Sequence, residues 1–148
     1  MQQNVDPQKA QEKVLWFIWG GFLFSQPLFA STLILTLQGK GEFAAHADLG
    51  ILTIGLSLAA GMSGLASYFI PNIILKSTKE NPKMPTAQRH FVPYILKWTF
   101  SESVGLFGFV LGFKGVAVEV WSIFFAAAVL LLLFHRPRMH SDVSGINT

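Results

Sequence analysis

The sequence predicts an all-α, polytopic membrane protein: residues 1–148 form a single four-helix transmembrane domain with both termini in the cytoplasm. Three observations carry this expectation. Apolar residues make up 51% of the 148, with 14 Phe and 4 Trp, and only 13% are charged, a balance that suits lipid better than water as the solvent. Four apolar runs approach or exceed the roughly 20 residues a helix needs to cross about 30 Å of hydrocarbon. The basic residues collect at one set of run ends.

The first run extends from Val14 to about Leu37. It is too long for the apolar core of a signal peptide, so it reads as a retained helix even though Ala45-His46-Ala47 has the small-x-small form of a cleavage site. The second runs from about Leu49 to Leu75, with Pro71 near its end. The third spans Phe91 to Phe113, with Pro93 in its first turn, where a missing N–H costs nothing. The fourth, Val116 to Phe134, closes with FFAAAVLLLLF before His135, Arg136 and Pro137. Only Lys114 and Gly115 separate the third run from the fourth, which requires a tight antiparallel hairpin. A polar loop from Lys76 to His90, containing Pro82 and Pro85, joins the second to the third.

Orientation follows from the positive charges. Lys9 and Lys13 precede the first run, Lys76, Lys79, Lys83 and Arg89 occupy the long loop, and Arg136 and Arg138 follow the fourth run; the opposite loops hold only Lys40 and Lys114. The positive-inside rule then places both termini and the long loop in the cytoplasm, in a cell inner membrane. Lys97 falls within the third helix, close enough to its cytoplasmic end for the side chain to snorkel outward.

Glu102 is the residue most suggestive of chemistry. Eleven positions beyond Phe91, it sits about 17 Å into the bilayer, where an acid costs about 2.5–3.5 kcal/mol unless it is protonated, paired or given an ion. Trp98, Gly105 and Phe109 share its face, and Gly105 lets another helix approach. Gln26 beside Pro27 in the first helix, and Ser57 and Ser63 in the second, lie at comparable depth, so Gln26 or one of these serines is expected to hydrogen-bond Glu102. Gly55, Ala59, Ser63 and Ser67 recur every four residues on the second helix, a spacing that allows close packing in lipid, within the bundle or between copies.

Glycine and small residues in one helix, a polar cytoplasmic loop, and a helix centred on Ser101-Glu102-Ser103-Val104-Gly105-Leu106-Phe107-Gly108-Phe109-Val110 together resemble the helical hairpin of the rotary-ATPase proteolipid, or c-type, subunits. The resemblance covers Leu49 to Phe113. It implies that Glu102 holds a transported proton or sodium ion and that Ser103 supplies an oxygen. Phe107 stands where sodium-binding members often have tyrosine, and the two additional helices point to a proteolipid-like protein with a role other than rotor subunit.

Other chemistry is disfavoured. The absence of cysteine excludes thiolate sites and disulfides. No nucleophile is paired with a base, no glycine loop is placed to cradle phosphate, and no basic face suits nucleic acid. Neither an enzyme nor a cofactor or metal site is expected. His90 and His135 at helix ends, His140 in the tail and His46 in an outer loop read as solvated. Trp16 reads as an inner interfacial anchor, Trp121 as an outer one, and Glu119 as a carboxylate complementing the start of the fourth helix. The expected partners are the bilayer, further copies of the chain or a larger membrane complex, and a proton or sodium ion. The alternative is a structural or assembly protein in which protonated Glu102 staples two helices together.

Overall fold

In the computed structural model, which describes residues 7–40, 50–79 and 86–137, the chain forms four α-helices: α1 Pro7–Lys40, α2 Ile51–Lys79, α3 Thr86–Phe113 and α4 Val118–Phe134. No strand occurs among the described residues. Each of the first three helices runs past its apolar segment. Helix α1 begins seven residues before Val14, with Pro7 at the first helical position, where its fixed φ suits the helix and its missing N–H is not needed. Helices α2 and α3 both grow into the predicted long loop, which leaves 80–85, with Pro82 and Pro85, outside the described residues. Leu49, His46, Lys83, Arg138 and His140 also lie outside them.

The α3–α4 hairpin closes tightly, but α4 begins at Val118, two residues beyond the expected Val116, so the connection is residues 114–117. Gly115 has φ 81°, a conformation that favours glycine. The Val116 N–H donates to Leu111 O at 3.1 Å and the Gly115 N–H to Gly112 O at 3.0 Å. This pair of bonds is the Schellman pattern that satisfies the last carbonyls of a helix, and Val116 and Leu111 join the same apolar cluster, as that motif favours.

Contacts along the helices set their directions. Ser25 meets Glu102, and Phe29 and Phe109 rings lie 5.7 Å apart, so α1 and α3 run parallel. Trp98 reaches His135 while Gly108 abuts Phe124, so α4 runs antiparallel to α3. Ala60 clusters with Ala128, and Gly64 meets Leu131, so α2 runs alongside α4 in the same direction. The order is up, down, up, down, with α3 packed against all three other helices.

The central position of α3 explains its composition. Its buried positions include Ser101, Gly105, Gly108 and Gly112, small residues over which the neighbouring helices close. Polar and small groups are tolerated there because protein covers them. Helices α1 and α2 have the opposite character: Ala10–Gly39 and Ile51–Lys76 are long and apolar enough to cross a membrane. Their outward surfaces are greasy, with Ile51 90% exposed, Phe17 84% and Met62 71%. Helix α4 is apolar but for Glu119 and Ser122, and its 17 residues span only about 25 Å.

Trp121, expected in an outer interfacial belt, is buried instead. Leu33 fills the space left at Gly112 with the indole edge beside it, and the indole packs with Leu33, Leu37, Leu111 and Phe125. Trp16 is exposed, and Glu119 lies exposed in the first turn of α4.

Candidate functional site

Glu102 faces α1. Its Oε1 accepts a hydrogen bond from Ser25 Oγ at 2.8 Å, joining the middles of two parallel helices. The oxygen expected from Gln26, Ser57 or Ser63 therefore comes from Ser25, one residue before Gln26. Gln26 acts one step back: its Nε2 lies 3.4 Å from Ser25 Oγ as a donor. Gln26 is 1% exposed, and its Oε1 lies against Gly105, in the space any other residue's Cβ would occupy. That oxygen has no hydrogen-bond partner among the described residues, so its close neighbour is the glycine backbone, a weak C–H donor.

The other residues singled out in the sequence are dispersed. Ser103 turns to its own helix, donating to Thr99 O at 2.9 Å on an exposed side. Ser57 is exposed and Ser63 half-buried on α2, and neither bonds Glu102 among the described residues. Ser67 is buried and donates to Gly64 O at 2.6 Å. The covered stripe of α2 runs through Thr53, Ala60, Ser67 and Pro71, with Ala59 half-buried at its edge, while Gly55 faces outward with nothing within 4 Å of a Cβ position. A four-residue spacing drifts around a helix of 3.6 residues per turn, so the ends of the Gly55–Ser67 series do not share one face.

Ser25 gives the site its chemical character. Its hydroxyl has one hydrogen and two acceptors within reach, Phe22 O at 2.7 Å and Glu102 Oε1 at 2.8 Å. When the carboxyl is ionised, that hydrogen goes to Glu102, and Gln26 N–H stands behind Ser25. When the carboxyl is protonated, its own O–H donates to Ser25 Oγ, and the serine hydrogen turns to Phe22 O. Either charge state is hydrogen-bonded without movement of the backbone, as an apolar setting requires. An alkali cation would find fewer ready ligands, because the Gln26 amide presents its nitrogen to Ser25 and its oxygen to Gly105.

A second polar cluster lies where α4 ends. His135, read from the sequence as solvated, is 6% exposed. Its Nδ1 lies 3.3 Å from Ser101 Oγ, and Ser101 donates its own hydrogen to Lys97 O at 2.8 Å. Two indoles close the helix end: Trp19 Nε1 donates to Leu132 O at 2.8 Å and Trp98 Nε1 to His135 O at 2.9 Å. Burial, and then the positive charge of Lys97, hold the His135 pKa below its ordinary 6.5. A histidine that resists protonation when folded makes acid destabilising: its contribution is whole above pH 6.5 and is lost as pH falls below that value. The signal for this cluster was available in the length of α4, which is too short to carry His135 out to the level where α3 begins. No group of three or more metal-ligating side chains occurs among the described residues.

No protein-family model matches the chain, and neither does any curated protein or solved structure, so the residues themselves carry the functional reading.

Proposed function

We propose that the chain is a four-span inner-membrane protein in which Glu102 is an ion-binding carboxyl, held by Ser25 and Gln26 and taking up a proton in preference to a metal cation. The observation that carries this reading is the single Ser25 hydrogen poised between Phe22 O and Glu102 Oε1. The apolar exteriors of α1 and α2 support the membrane setting, since a soluble monomer rarely exposes contiguous apolar surface on this scale. The alternating directions of the four helices and the basic residues flanking them support a cytoplasmic position for both termini. The open glycines of α2, Gly55 and Gly61, beside exposed Leu58, Met62 and Leu65, support association with a second copy, and particle mass in mild detergent checks it: a monomer sinks that part of the reading.

A hydrophobic carbodiimide reacts with a protonated carboxyl in an apolar site, so it should modify Glu102 at low pH and lose it as pH rises, with sodium giving no protection. Labelling that sodium blocks would favour the cation, and no labelling across about pH 5–9 would sink the proposal. Ser25→Ala should cost about 0.6–2 kcal/mol of stability, the range for a hydrogen bond between membrane helices. The structural alternative rests on the same α1–α3 bond, and proton flux into liposomes separates the two. Conduction requires flux through the wild type that Glu102→Gln abolishes, whereas a staple gives none in either.

A further inference from the structure

The end of α4 is built around a buried histidine. Helix α3 continues for twelve residues on the N-terminal side of Trp98, while α4 stops at Phe134, level with Trp98, so His135 is covered by its neighbours. Because Ser101 has committed its hydrogen to Lys97 O, the 3.3 Å contact is completed by a proton on His135 Nδ1. That leaves Nε2 as a bare lone pair, buried and without a partner among the described residues.

We propose that His135 is a proton-operated latch: a proton taken from water at Nε2 turns the imidazole into an imidazolium and frees the segment His135–Pro137 from α3. Among the described residues the added N–H has no acceptor and the added charge no counter-ion. From α3 the facing charge is Lys97, itself positive, whose ammonium lies 5.9 Å from the centre of the Tyr94 ring; the α3 acid, Glu102, is engaged by Ser25 on the α1 side. Helix α1 meets this end of the bundle with Leu15 and Trp19, while its Glu12 and Lys13 line a separate recess with Trp16 and Phe17. Helix α2 carries no charge between Ile51 and Leu75, and Glu119 lies at the opposite end of α4. The adjacent Arg136 is exposed and also positive. Relief comes by moving the imidazolium to water, which breaks the Trp98–His135 bond and loosens the Trp19–Leu132 bond beside it. This behaviour does not depend on Glu102 binding an ion.

The test uses the full chain in lipid nanodiscs with ¹⁵N-labelled tryptophan, following the four indole N–H signals from about pH 8 to about pH 5, the window in which histidine titrates. Acid should shift the Trp19 and Trp98 signals together and speed their exchange with water about tenfold or more, leaving Trp121, at the far end of α4, in place; Trp16, whose ring lies 5.2 Å from that of Trp19, is not a reference. In His135→Gln, which cannot take up a proton, both signals should stay constant. Lys97→Gln removes the repelling charge and should move the transition to higher pH. Wild-type indoles that do not respond, a transition that survives in His135→Gln, or an unmoved midpoint in Lys97→Gln would each overturn the latch. Glu102→Gln should retain the transition, and its loss there would assign the effect to the carboxyl instead.

Discussion

Replacing Gly108 with alanine will pry α3 from α4 and cost about 1–3 kcal/mol, the usual penalty for forcing atoms into a packed interface. A Cβ at this position would lie 2.5 Å from Phe124 Cβ and 2.9 Å from the carbonyl oxygen of Trp121. Neither atom can swing aside, since one is backbone and the other is fixed to it, so the helices themselves must separate. Separation would also strip contacts from Trp121 and Phe125, which form a buried cluster with Leu33 of α1 and Leu111 of α3. Unfolding by sodium dodecyl sulfate in mixed micelles measures the loss. Gly21→Ala serves as the control, because nothing lies within 4 Å of its Cβ position, and it should change stability by less than about 0.5 kcal/mol. Equal behaviour of the two variants would contradict the α3–α4 packing.

Trp98→Ala should be the most damaging single truncation. The indole is fully buried, packs with Leu15 and Leu132, lies 5.7 Å from the Tyr94 ring and 6.2 Å from Phe22, and donates to His135 O. Trp→Ala costs about 3–5 kcal/mol in water-soluble cores. In lipid the transfer part shrinks, because separated helices still hold their side chains in hydrocarbon, so the expected loss is near about 3 kcal/mol from the cavity and the broken bond. Trp98→Phe keeps most of the volume and removes the donor, and should cost about 1–2 kcal/mol with the bundle intact. The same titration checks both, and a phenylalanine variant as weak as the alanine one would mean that the hydrogen bond, not the packing, dominates.

Much of the architecture was legible from run lengths and breakers. The Lys114-Gly115 connection dictated the hairpin, and Gly115 adopts the left-handed conformation that makes it possible. Helix ends were less legible, because the polar residues 7–13 and 86–90 contribute helix without contributing hydropathy. At the site, Glu102 stood out because an acid among apolar residues needs no partner to be noticed. Its partner did not: Ser25 and Gln26 are equally polar neighbours, and about 100° of helix separates them. Which of the two meets the carboxyl depends on how α1 is rotated against α3. Gly105 decides this by admitting Gln26 so closely that Ser25 is turned toward Glu102. Trp121 and His135 followed the same logic, read as interfacial from sequence position and buried by neighbours that position does not reveal.

By itself, then, the sequence determined the helical class, the number of helices, the hairpin and the carboxyl at mid-helix, because each follows from local backbone chemistry or from one residue's cost in its surroundings. Tertiary structure alone decided which hydroxyl serves that carboxyl, which face of α2 is covered, and that the end of α4 closes over His135. Those outcomes depend on the rotation and stagger of one helix against another. Rotation and stagger are set by contacts such as Gly105 with Gln26 and Gly108 with Phe124, pairs far apart in the chain that no periodicity records.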